Sequence, residues 1–220
     1  MVSLPSLKRL ESSKRLRRSY IAAQDRLAHE RLKWTSLAEA LTRRPDGVPP
    51  PQWSDLWLLC RFIKHLKPAL VIEFGSGYST AAMAWAIQRY GGGCLLSIEE
   101  NPEWADVTEQ YLDQLKVDRY EIRVPAFTIT DQYQDIPVIQ YDLAWPGVPD
   151  LIFVDGPSVL AIPVEPLRWW REMKPGSMML IDGRPRVAQY YADRLGPLAR
   201  VKTSWWNFRT VFVRDEARNG

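Results

Sequence analysis

The sequence predicts an α/β protein: a doubly wound, mostly parallel sheet of seven strands that ends in an antiparallel C-terminal hairpin, preceded by a helical extension. Three observations carry this expectation. From residue 70 onward, apolar runs of strand length alternate with helical stretches, the pattern of βαβ units. A glycine turn, "VIEFGSGYST" (Val71 to Thr80), follows the first run and leads into a helix. At the end of the chain "ARVKTSWW" and "RTVFVRD" both read as strands with only "NF" between them. Two residues cannot make a parallel crossover, so this last pair must be antiparallel.

Taken in order, residues 1–45 form a basic amphipathic extension and residues 46–220 the main domain. The extension holds eleven Lys/Arg against four acids in residues 1–44, a surplus of seven. The whole chain is +3, so the remainder carries −4. Such an arm can meet an anionic partner; the plainer reading is a solvated helix face. Leu16, Tyr20, Ala23, Leu27, Glu30, Trp34, Leu37 and Leu41 step by four and three, a seam broken only at Glu30. The spacing predicts one long helix whose stripe docks on the body or on a second copy. "RRPDGVPPPQW" ends it, because consecutive prolines cannot continue a helix. Ser54 is a candidate N-cap for a helix through Lys67, closed by Pro68. Strands are then expected at 70–74, 94–99, 120–124, 150–154 and 177–181, with helices at about 78–90, 102–116, 163–173 and 186–194. Residues 125–149 read as a loop with at most a short strand. Trp205 and Trp206, beside the hairpin turn, are expected to pack, at least one of them in the core.

Composition narrows the function classes. With 220 residues, 46% hydrophobic, the chain can bury one good core, too little for two enzymatic domains. No apolar run approaches the roughly 18 residues of a membrane span, and the basic N-terminus has no apolar stretch behind it to make a signal peptide. Cys60 and Cys94 form no paired motif. A cytoplasmic protein is the default expectation. Neither nucleic acid nor a membrane is an expected partner; a small-molecule or saccharide substrate is, with a second copy joined through the N-terminal helix.

The ligand of the glycine turn follows from its surroundings. A P-loop needs a lysine after the turn, and none is present. The dinucleotide fingerprint needs a third glycine where Thr80 stands. Glu73, two residues before Gly75, would repel a pyrophosphate but attract a ligand bearing a sulfonium and an ammonium. That sign of charge favours S-adenosylmethionine. Glu99, at the end of the second strand, can accept hydrogen bonds from both ribose hydroxyls, a feature NAD and S-adenosylmethionine share. Glu100 or Asn101 would then lie beside the adenine.

"VIEFGSGYST", "LLSIEENPEWAD", "DLIFVDGP" and "MKPGSMMLIDGRPR" occur in the order and spacing of the class I, Rossmann-like S-adenosylmethionine-dependent methyltransferases. Over residues 54–215 the chain resembles that family, and within it a small O-methyltransferase. The resemblance implies that Glu73, Gly75, Ser76 and Gly77, with Ser79 and Thr80 beyond them, hold the methionine part. It also implies that Glu99 holds the ribose, and that Asp155 and Gly156 close the site.

Methyl transfer to a hydroxyl needs a base. His29 lies in the arm and His65 at the wrong end of the sheet, so both are expected to be structural. Asp155 and Asp182 end neighbouring strands on the side where ligands bind in open α/β sheets. By the same resemblance such acids hold a divalent metal, Mg²⁺ by ligand type, although Gly183 stands where a further ligand often follows. Arg184 and Arg186 could recognise an anionic group on the substrate, and Trp145 could stack on a sugar or aromatic ring. Methylation of a base nitrogen is disfavoured, because serine rather than an aromatic follows Pro157. The competing readings are an NAD-linked oxidoreductase and a non-catalytic binding protein on the same scaffold.

Overall fold

The structure, a computed structural model, describes residues 7–43, 48–157, 160–204 and 209–215. Trp205 and Trp206 lie outside the described residues. Among the described residues ten strands form two sheets. The main sheet contains β1 (Leu70–Phe74), β2 (Cys94–Ile98), β3 (Tyr120–Arg123), β6 (Leu151–Val154), β8 (Met178–Ile181), β9 (Ala199–Ser204) and β10 (Arg209–Arg214). Their order is β3-β2-β1-β6-β8-β10-β9. The first five are parallel, and β10 runs antiparallel to both of its neighbours.

The central strands are continuous apolar runs because helices cover both faces of the sheet. On one face α3 (Trp53–Leu66), α4 (Tyr78–Tyr90) and α5 (Pro102–Leu115) pack around Leu56, Ile63, Met83 and Tyr111. On the other face α6 (Glu165–Trp170) and α7 (Pro185–Leu195) pack around Trp170, Tyr191 and Phe212. The register decides where function can sit. Phe74 pairs with Ile98 and Val154, and Val154 with Ile181. The next residue or turn on each strand, Gly75, Glu99, Asp155 and Asp182, therefore emerges on one level at the carboxyl edge. Thr210 pairs with Ile181 across the antiparallel ladder, which delivers Arg209 to Asp182.

Several expectations need correction. The N-terminal helix is not continuous: α1 (Leu7–Leu32) ends in a turn, and α2 (Ser36–Thr42) starts afresh with the Thr35 hydroxyl accepting from Ala38 N at 3.3 Å. Ala28 and Leu32 of α1 and Leu37 and Leu41 of α2 join the core of α3 and α4, so this part of the extension shares the body's core. The predicted seam is buried only at Leu37 and Leu41; Leu16, Tyr20, Leu27 and Trp34 are exposed. The face of α1 that docks carries Ile21, Asp25, Ala28 and Leu32 instead. Ser54 does not cap α3, which begins at Trp53; the Ser54 N–H donates to Asp25 Oδ1 at 3.0 Å, tying α1 to the start of α3. Within 125–149, where a loop was expected, β4 (Phe127–Tyr133) and β5 (Ile136–Tyr141) form a hairpin, joined by β7 (Ile162–Pro163) as a second, three-stranded sheet.

Candidate active site

Two adjoining cavities open at the carboxyl edge. The smaller, about 310 Å³, is lined by Gly75, Ser76, Ser79, Glu99, Asn101, Trp104, Asp155 and Gly156. The larger, about 590 Å³, lies between the sheet edge and the N-terminal helices. Ser76, Ser79, Trp104 and Asp155 border both.

The glycine turn is shaped by a close approach of two strand ends. Gly75 has φ +96°, and a Cβ there would stand 2.9 Å from Gly156 N; a Cβ on Gly156 would stand 2.6 Å from Gly75 Cα. The Gly156 N–H meanwhile donates to Phe74 O at 2.6 Å. Only glycine on both sides lets the β1 and β6 turns touch, and this contact forms the floor of the smaller cavity.

Glu73 sits behind the turn rather than in the cavity. It is fully buried and accepts from the hydroxyls of Ser79, Thr80 (2.6 Å) and Ser97 (3.1 Å). Burial pushes its carboxyl up to about 8 in spite of those three donors. Thr80 is buried as well, and its Oγ1 accepts from Gly77 N at 2.9 Å. Glu73 and Thr80 therefore brace the turn, and of this group Ser79 is the one that reaches the cavity.

Glu99 does line the smaller cavity. Its Oε1 accepts from the N–H groups of Glu100 and Asn101, both at 3.0 Å, and its Oε2 from Ser76 Oγ at 2.7 Å. Burial raises its pKa, and the Asn101 N–H and Ser76 work against that. Asn101 caps α5 through Glu103 N and Trp104 N. Glu100 lines neither cavity.

Asp155 is exposed to solvent where it opens to both cavities, although the protein crowded behind its carboxyl still desolvates it. Burial raises its pKa, and the Arg184 guanidinium lowers it. Asp182 lines the larger cavity, but its partner was not foreseen. Arg209 Nε donates to Asp182 Oδ1 at 3.2 Å, and the same guanidinium ion-pairs with Asp55 of α3. Burial and the neighbouring Asp155 push the Asp182 carboxyl up to about 7. The metal expected between Asp155 and Asp182 does not fit this arrangement. One of the two carboxylates is committed to a guanidinium, and among the described residues no group of three His, Cys, Asp or Glu side chains could hold an ion.

The proposed substrate residues divide. Arg184 Nε donates to the Asp155 backbone oxygen at 2.8 Å and so belongs to the site. Arg186 pairs with Asp135 in the β4–β5 turn, and Trp145 packs edge-on to Trp169 at 6.1 Å; neither lines a cavity. His29 stacks near Trp53. Trp104, Asp55, Arg209 and the α1 residues Arg17, Ile21 and Gln24, all at the larger cavity, went unrecognised in the sequence. Trp104 donates from Nε1 to Ser76 O at 2.7 Å and lies over Gly77. One signal was available: an arginine opening the apolar strand "RTVFV" has to find a charge partner.

Residues 72–183 match the family described as a methyltransferase domain. Against the curated proteins the sequence has no match. Among solved structures, the fold is similar to the SAH-bound methyltransferase of Podospora anserina, with 16% identity over 98% of this chain and 99% of that one, at TM-score 0.58. It is also similar to the O-methyltransferase from Bacillus cereus in complex with SAH, with 16% identity over 90% of this chain and 100% of that one, at TM-score 0.53.

Proposed function

The chain belongs to the methyltransferase-domain family, and from that membership we propose that it transfers a methyl group from S-adenosylmethionine to an oxygen of a small molecule or saccharide. The observation that carries this reading is the position of Asp155, an ionisable group on the border between the two cavities. The smaller cavity suits the cofactor: a glycine floor, the Glu99 carboxylate for ribose hydroxyls, and Ser76, Ser79 and Asn101 around it. When bound, S-adenosylmethionine supplies a methyl group on a positively charged sulfur, open to in-line displacement.

The chain's own residues supply alignment and proton transfer. An acceptor in the larger cavity presents its hydroxyl toward the border, where Asp155 takes the proton as the new O–CH₃ bond forms. The raised pKa of Asp155 makes it a better base than an ordinary aspartate. Arg184, bonded to the Asp155 backbone, opposes the upward shift with its charge and fixes the loop. The Arg209 pairing leaves Asp182 a wall of the acceptor cavity rather than a second base.

Methyl-donor turnover against a panel of hydroxylated acceptors tests this, with and without EDTA. Asp155→Asn is expected to lower turnover by roughly 10²–10⁴-fold, Asp182→Asn by much less, and EDTA to change nothing. Full activity in Asp155→Asn would remove it as the base.

A further inference from the structure

Facing away from the body, α1 presents Leu16, Tyr20 and Leu27, followed by Trp34 in the turn after the helix. They are exposed by 65%, 43%, 63% and 88%. Spacings of four and seven residues keep the three helical positions along one side. Exposed large side chains aligned in this way mark an interaction surface. The sequence predicts a stripe docked on the body or on a second copy, with no membrane partner; the structure leaves it bare.

The charges beside the stripe select what can cover it. Arg26 and Arg31 are exposed on either side of the stripe, Arg31 with its guanidinium 5.4 Å over the Trp57 ring, and the helix carries eight Lys/Arg against three acids. Two of those acids are engaged: Asp25 by the Ser54 N–H at the start of α3, Glu30 by Lys33. A second copy of this helix would set arginines against arginines along both flanks of the stripe. A surface of anionic headgroups attracts the arginines, and the Leu, Tyr and Trp side chains enter the boundary beneath them. We propose that α1 docks the protein on an anionic lipid surface. The same helix supplies Arg17, Ile21 and Gln24 to the larger cavity, so docking places that cavity next to the lipid.

Co-sedimentation of the full chain with vesicles tests the proposal. Binding is expected to vesicles of phosphatidylcholine mixed with phosphatidylglycerol, not to phosphatidylcholine alone, and to weaken steeply with added salt. Leu27→Ser combined with Trp34→Ser, and separately the charge reversal Arg26→Glu, should each weaken it about tenfold. Thermal unfolding should be unchanged in both, since Arg26, Leu27 and Trp34 are exposed. Absence of binding to the anionic vesicles, equal binding to neutral ones, or wild-type binding by either variant overturns the proposal. So does a dimer in sedimentation velocity that Leu27→Ser with Trp34→Ser takes apart, which would make a second copy the cover of the stripe.

Discussion

Replacing Arg209 by methionine should be among the most damaging single changes at the site. The Arg209 side chain is 9% exposed, and its partners Asp55 and Asp182 are 16% and 18% exposed. At 3.2 Å, one unit pair in a medium of effective dielectric constant 20 is worth about 5 kcal/mol, before the cost of taking both ions out of water. Methionine replaces the bulk but not the charge, and leaves two half-enclosed carboxylates unpaired. Breaking a buried pair in this way costs about 3–5 kcal/mol. For a chain of this length that lowers the melting temperature by roughly 6–20 °C. The loss should depend on pH. Burial and Asp155 hold the Asp182 carboxyl at about 7, so it takes up a proton within the neutral range once its ion-pair partner is gone. An acid with a raised pKa in the fold favours the folded state where it is protonated, so the variant recovers as pH falls from 8 toward 5. Calorimetric melting at pH 5, 6, 7 and 8, with Asp182→Asn/Arg209→Met alongside, measures this. The double variant should recover part of the loss at pH 8. A destabilisation under 1 kcal/mol that is flat with pH would refute the role of the ion pair.

Three further outcomes are expected. Burial holds the Glu73 carboxyl near 8 against an ordinary 4.5, so the folded protein keeps a proton that the unfolded chain gives up; stability falls by up to about 1.4 kcal/mol per pH unit between roughly pH 4.5 and 8 and levels off above. Glu73→Gln should remove that slope, and parallel urea curves for the two proteins would contradict it. Glu99→Ala should weaken binding of S-adenosylhomocysteine by about 2–4 kcal/mol in calorimetric titration, through lost bonds to the ribose and a loosened Ser76; an unchanged dissociation constant would remove it from the site. Gly156→Ala puts a Cβ 2.6 Å from Gly75 backbone atoms, so the turn must open at a cost of about 1–3 kcal/mol with weaker cofactor binding. An unaltered melting point in this variant would mean that the two turns can separate freely.

What could be read from the sequence is what burial imposes on it. β1, β2, β6 and β8 lie under helices on both faces, so their runs are apolar throughout and their ends are marked by Gly75, Glu99, Asp155 and Asp182. β4 escaped notice because it is exposed along almost its whole length, and its polar Thr, Asp and Gln residues resemble a loop. In α1 two apolar stripes compete, and the one with larger side chains drew the prediction. The other stripe docks through Ala28 and Leu32, which join the core, and through Asp25, which accepts from the Ser54 N–H at the start of α3. The Asp182–Arg209 pair depends on the register of an antiparallel strand against a parallel one, which local pattern does not encode.

Arg209 also bears on how the molecule can be assembled. It meets Asp55 from the first helix of the main domain and Asp182 from the fifth strand of the sheet, and it feels the charge of Asp25 in α1. Until β10 is laid against β8, Asp55 and Asp182 lack the guanidinium that bridges them, and their mutual repulsion opposes closure of the larger cavity. The inner strands can form before this, whereas the cavity closes only when the two distant parts of the chain meet. A fragment that lacks β10 should therefore keep much of its sheet and still have an open, negatively charged mouth where the acceptor site belongs.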